Sequence, residues 1–220
     1  MQKTRAPHVT FDSTLLDHVS VGAATAAART SMRVASVLFV TALTAAAAQV
    51  SLHLPFTPVP FTLQPMIVLL GGAALGARLG ASAQALYLLL GIAGLPVFAA
   101  SGALPPGAAR LLGPTGGFLI AYPLAAWVTG WLAERGFDRR YLTSVAAMLA
   151  GMATYFTSGV LWLAYSAPVA ALPVGARLDA ALAAGFYPFV LSDVAKVVLA
   201  GAVLPTVWAL VSDRPKSRKY

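Results

Sequence analysis

Cysteine is absent from the 220 residues, and so is asparagine. The first absence excludes disulfides, iron–sulfur clusters and thiolate zinc sites. Charge is scarce as well. Only 10% of the residues are Asp, Glu, Lys or Arg, where a soluble domain that must cover its surface carries about 25%. That deficit excludes an ordinary soluble enzyme. Histidine occurs three times, as His8, His18 and His53, always outside the long apolar blocks, so no block offers an imidazole as general base. Ser158-Gly159 suggests an intramembrane serine protease, but that hydroxyl has no base to activate it, and a small residue at a helix contact is the simpler account. No G-x-x-x-x-G-K-[ST] motif occurs, so the chain has no phosphate-binding loop for ATP hydrolysis. No His/Asp/Glu cluster has metal-ligand spacing.

Apolar residues fill the chain instead: 59% of it, with a mean hydropathy of +0.78. They fall into six blocks, about 32–52, 62–77, 81–98, 113–133, 141–165 and 185–211. Each is near the ~17–25 residues a helix needs to cross a bilayer, and none shows the ten-residue alternation of a membrane β-strand. The expected fold is an all-α integral membrane protein, a compact bundle of six transmembrane helices. Residues 1–31 read as a cytoplasmic N-terminal tail with a short surface helix, 32–212 as the membrane domain, and 213–220 as a basic cytoplasmic C-terminal tail. With the N-terminus inside, 12 of the 15 Lys and Arg lie on the cytoplasmic side, while Arg110 and Arg177 lie outside and Lys196 within the membrane. The bias predicts an N-in, C-in topology. It also accounts for the net charge of +8, because a basic rim meets anionic membrane lipid and no nucleic-acid partner is required. Basic residues ahead of an apolar stretch faintly resemble a cleavable signal peptide, but the region before the first block is too long and carries Asp12 and Asp17.

The expected outer loops are nearly uncharged and rich in Pro, Gly and aromatics, which suits either walling a pocket or lying in the lipid interface. Asp193 and Lys196 are the two ionisable residues well inside a block. Their i, i+3 spacing puts them on one helix face, about 12 Å or more below the outer end. They form either a structural ion pair or a ligand site. In a membrane helix the second reading is the default, since each charge is costly in hydrocarbon and must face the interior. Small residues recur four apart, as Gly72/Gly76, Gly76/Gly80, Gly113/Gly117 and Ala42/Ala46, and let helices approach closely. The alanine surface of the first block either docks another membrane protein or packs inside the bundle.

Four stretches then carry a resemblance: Pro58-Val59-Pro60-Phe61-Thr62-Leu63-Gln64, the run from Tyr87 through Gly91 and Gly94 to Leu95-Pro96-Val97-Phe98, Gly113-Pro114-Thr115-Gly116-Gly117-Phe118, and Pro188-Phe189 followed by Asp193-Val194-Ala195-Lys196. In this order and spacing, over about 32–212, the chain resembles the biotin-specific S component of energy-coupling factor (ECF) transporters, the BioY family. The resemblance implies a six-helix bundle of the inner (plasma) membrane with a biotin pocket near its outer face. The pocket would be built from loops one, three and five with helices four and six, and Asp193 and Lys196 would touch the ligand. It implies no cofactor, only biotin as the transported ligand. Transport would be powered by a separate coupling module, a transmembrane T component with two ATPases, which would dock on the small-residue face centred on Ala42 and Ala46.

Biotin's ureido ring has two N–H donors and one C=O acceptor. A buried carboxylate accepts from the N–H groups, and a neighbouring ammonium donates to the C=O or holds the carboxylate in place. Arg110 is the one charged residue of loop three, a partner for the biotin carboxylate or else an outer-rim anchor. Some family members use an asparagine amide in the loop after Leu-Pro-Val-Phe. Here Ala99, Ala100 and Ser101 stand there, so Ser101, Gln64 or a backbone group must take that contact. Tyr87, Thr115 and Gln64 are further pocket candidates, with ordinary alternatives as helix packing, a helix N-cap and a helix–helix hydrogen bond. The competing function class is a small stand-alone carrier or channel with Asp193 and Lys196 as its proton or ion site. A structural membrane protein whose ion pair sets helix register comes behind that.

Overall fold

A computed structural model describes residues 14–20, 25–100, 106–166 and 169–212. Helix α1 (Leu15–Ser20) precedes a long α2 (Ala26–Gln49). Thr25 starts α2 with its hydroxyl 3.1 Å from the Ala28 N–H, satisfying one of the donors a helix start leaves open. The helix therefore begins ahead of residue 32, inside the expected tail. It also ends before 52. Ser51–Leu52 (β1) pairs antiparallel with Phe61–Thr62 (β2), closing a proline-rich loop at one end of the bundle.

Helices α3 (Gln64–Leu75) and α4 (Ala77–Ile92) are separated by Gly76 alone. The expected turn at 77–80 lies inside α4. Gly76 takes φ +84°, open to glycine without strain, and the Glu134 carboxylate accepts the Ala77 N–H at 2.8 Å, placing a negative group at the start of α4. After a short α5 (Ala109–Leu112) come α6 (Gly116–Ala133) and α7 (Tyr141–Tyr165), the latter matching its expected block. The expected loop at 166–184 holds a further helix, α8 (Val174–Gly185). The last block is two helices, α9 (Tyr187–Gly201) and α10 (Val203–Ser212). Pro205 explains the break, because it has no N–H to return to the carbonyl of Gly201.

Among the described residues four stretches are long and apolar enough to cross a membrane: Ala26–Gln49, Gly116–Ala133, Tyr141–Tyr165, and Tyr187–Val211 taken through its break. Helices α3 and α4 are apolar but shorter, at 12 and 16 residues. The outward faces are greasy, as Leu142, Leu191 and Leu199 show at 72–80% exposure.

Helix α6 is the centre of the bundle and packs chiefly on α7, α4 and α3. Small residues allow this. A Cβ on Gly72 would stand 2.4 Å from the Ala126 carbonyl oxygen, and one on Gly130 2.4 Å from Gly76. Helix α2 joins α4 through buried polar pairs, Thr41 Oγ1 to the Ala83 carbonyl at 2.9 Å and Gln84 Nε2 to Thr44 Oγ1 at 3.2 Å. At the end of α6 away from β1 and β2, Trp208 of α10 donates to the buried Asp138 at 2.6 Å, and the His18 ring of α1 meets Trp208 edge-on.

Candidate functional site

Burial makes Asp193 and Lys196 expensive, and the fold compensates both. Asp193 is 5% exposed and Lys196 9%. Lys196 Nζ donates to Asp193 Oδ1 at 2.7 Å and to the Thr62 carbonyl at 2.8 Å, and it sits 3.9 Å from the centroid of the Phe61 ring. The other carboxylate oxygen, Oδ2, accepts from the Tyr155 hydroxyl at 2.8 Å. Three elements meet in this network: α9 supplies the charges, α7 the phenol, and the β2 edge the carbonyl. Charge-assisted bonds of this kind make a paired charge tolerable away from water.

The pair opens onto a cavity with about 910 Å³ of empty space, the open solvent at its mouth included. Segment 53–65, segment 98–100, the starts of α6 and α9 and the middle of α7 wall it. Its apolar lining is largely aromatic, with Phe98, Phe118, Tyr122, Phe156 and Phe189. Tyr122 stands edge-on to Tyr155 and Phe118 edge-on to Phe156, so the walls are ring-packed.

The expected site residues fall in different places. Asp193, Lys196, Arg110, Gln64 and Thr115 all line the cavity. Burial lowers the Arg110 guanidinium from its ordinary value. Thr115 occupies the cap position of α6, yet its side chain makes no capping bond, so its hydroxyl is not committed to the helix end. Tyr87 is not among the lining residues: it is fully buried behind the wall, where it accepts a hydrogen bond from the Gln64 amide and donates to the Val97 carbonyl at 3.1 Å. It orients Gln64 rather than facing the cavity. Ser101 lies outside the described residues. On α2, Ala42 and Ala46 are exposed rather than packed inside the bundle.

Sequence reasoning missed Tyr155 and His53. A phenol in the middle of an apolar span was a signal for the first, because a buried hydroxyl needs a partner. His53 stands outside the long apolar blocks, where sequence carries no sign of a site, yet it lines the cavity. Among the described residues no group of three His, Asp or Glu side chains is placed to hold a metal ion.

The family model for BioY matches residues 19–213. The chain belongs to the BioY family. The match begins ahead of residue 32 and takes in only the last two residues of α1 but the whole of α2, so the family's extent is greater than the four motifs indicate. Among its relatives, a biotin transporter from Thermotoga maritima is 38% identical over 152 residues, covering 69% of this chain and 82% of that one. A probable biotin transporter from Pyrococcus horikoshii is 40% identical over 163 residues, covering 74% and 87%. These BioY relatives are transporters and not enzymes. The crystal structure of an S component for biotin from an ECF-type ABC transporter superposes with a TM-score of 0.71 at 24% identity, over 84% of this chain and 95% of that one. At that identity the likeness is one of fold.

Proposed function

We propose that this chain is the high-affinity biotin-binding subunit of an ECF-type importer in the cytoplasmic (inner) membrane. The observation that carries the reading is the hydrogen-bond capacity left over at the buried pair. A carboxylate has about four acceptor sites and an ammonium three donors. Asp193 has used one site on each oxygen and Lys196 two donors. The remainder, carboxylate acceptors and one N–H donor, is the complement of a cyclic urea with two N–H donors and one C=O. The aromatic walls suit the thioether face of the bicycle, and Arg110, which lines the cavity, would meet the valerate carboxylate.

The same reading assigns α3 and α4 as two shorter spans alongside the four long ones, with both termini inside. Twelve of the 15 basic residues fall in the segments this topology assigns to the inside, which supports that orientation. Trp127 and Trp131, stacked at 6.2 Å with the Arg135 guanidinium 3.5 Å from the Trp131 ring, suit a rim against lipid headgroups at that end of α6. The exposed Ala42 and Ala46 offer a close-approach face to a coupling module of a transmembrane component and two ATPases.

Saturable binding of radiolabelled biotin to the detergent-purified chain tests the proposal. Biotin methyl ester should bind more weakly than biotin if Arg110 meets the carboxylate. An absence of saturable biotin binding would overturn the assignment.

A further inference from the structure

Segment 96–100 forms part of the cavity wall, with Phe98, Ala99 and Ala100 facing the space. It belongs to no helix or strand, so its carbonyls need other partners. The described bonds to those carbonyls come from side chains. Gln49, the last residue of α2, places Nε2 3.2 Å from the Pro96 carbonyl, 3.4 Å from that of Val97 and 3.5 Å from that of Phe98. It also reaches the Ala45 carbonyl of its own helix at 3.2 Å. One amide with two N–H donors thus spreads across several acceptors. His53, four residues further on, has Nε2 2.9 Å from the Ala100 carbonyl. Because the partner is a carbonyl oxygen, Nε2 carries the proton and donates.

The two ends of the segment differ in support. Phe98 is wedged against Gly91, where even a Cβ would not fit, and its ring meets Tyr87 edge-on. Ala99 and Ala100 have only methyl side chains to anchor them. Whatever this stretch gives a ligand is backbone and shape, and both depend on something outside it holding the chain still.

We infer that Gln49 and His53 are positioning residues for the ligand: they hold wall segment 96–100 in its binding geometry and so set how long the ligand stays. The inference rests on the cavity being the biotin site, but its structural half does not.

Two measurements on the full purified chain keep these apart. Without ligand, hydrogen–deuterium exchange of the amides at 97–100 should be about 5- to 10-fold faster in His53→Ala and in Gln49→Leu, the effect of one lost hydrogen bond on local opening. With ligand, biotin dissociation should speed up by a similar factor while the melting temperature stays near that of the wild type. His53→Gln keeps an N–H donor and should restore both readouts most of the way. Unchanged exchange at 97–100 in both variants would overturn the inference. So would faster dissociation that tracks a fall in melting temperature and is not rescued by glutamine. A wild-type chain that holds no biotin would remove the reading of the cavity, while the exchange data would still decide whether the two side chains hold the wall.

Discussion

Asp193 works through the direction of its lone pairs. Each oxygen has one donor in place, Lys196 on Oδ1 and Tyr155 on Oδ2, which fixes the carboxylate's plane and leaves its remaining acceptor sites aimed in set directions. Asp193→Asn presents an N–H₂ where an acceptor is needed. Biotin affinity should fall roughly 10- to 100-fold, as for loss of one charge-assisted bond of about 1.5–3 kcal/mol. Tyr155→Phe keeps the ring packing and removes only the donor to Oδ2, so equilibrium binding should weaken by about 10-fold. Lys196→Ala should cost at least as much as Asp193→Asn, because it strands a buried carboxylate and releases Thr62. Isothermal titration of the purified variants gives the order. Equal affinity in all four proteins would make the network structural.

At the scale of the helix, small residues do two different jobs. On α3, Gly72 lets the backbone of α6 approach, and a methyl there would collide with the Ala126 carbonyl. Gly72→Ala should destabilise the bundle by about 1–3 kcal/mol or more, read as a lower midpoint in denaturation, because backbone cannot give way as a flexible side chain does. On α2, Ala42 and Ala46 stand exposed. Ala42→Trp and Ala46→Trp should therefore leave folding and biotin binding intact while lowering uptake supported by a coupling module. A variant that loses stability and ligand together would show that the face packs inward. The repeated spacing of small residues was legible from the sequence; which pairs met another helix and which stayed open was not, since that depends on how α2 and α3 are rotated in the assembled bundle.

The molecule as a whole has one end built around the cavity and another around Asp138. There Trp208 donates to Oδ2, and Arg139 contacts Oδ1 at 3.3 Å while lying over the Trp208 ring. The α6–α7 turn is thereby tied to α10. Burial, outweighing these partners, raises the Asp138 pKa. A raised folded-state value means that the folded chain holds the proton more tightly than the unfolded one. The group's contribution to stability is then greatest below about pH 4 and falls as pH rises through the raised value. Asp138→Asn keeps an acceptor for Trp208 and should flatten that decline in melting temperature measured across pH 4–7. For topology, a tag after Tyr220 and a tag in 134–140 should both be protected from outside reagents in intact cells, and a probe at Arg110 should be reachable. An outside C-terminus would mean an odd number of spans.

Apolar length and charge position are properties of the chain read in one dimension, so they locate the apolar helices at 64–75, 116–133 and 141–165 and pair Asp193 with Lys196 through a fixed helical spacing. Helix ends depended on local chemistry that block-reading ignores: Gly76 rather than 77–80 as the turn, Pro205 splitting the last block, and α8 in what composition marks as loop. The closure of the site is a different matter. Tyr155 lies 38 residues from Asp193, and the Thr62 carbonyl 134 from Lys196. Tyr87 and Gln64, both candidates, took up positions one behind the other rather than side by side. No periodicity encodes such meetings. They follow from how α7, α9 and the β2 edge pack around α6, and in a hydrocarbon surround, where an unpaired polar group has no water to turn to, that packing decides which hydroxyl and which carbonyl a buried charge will find.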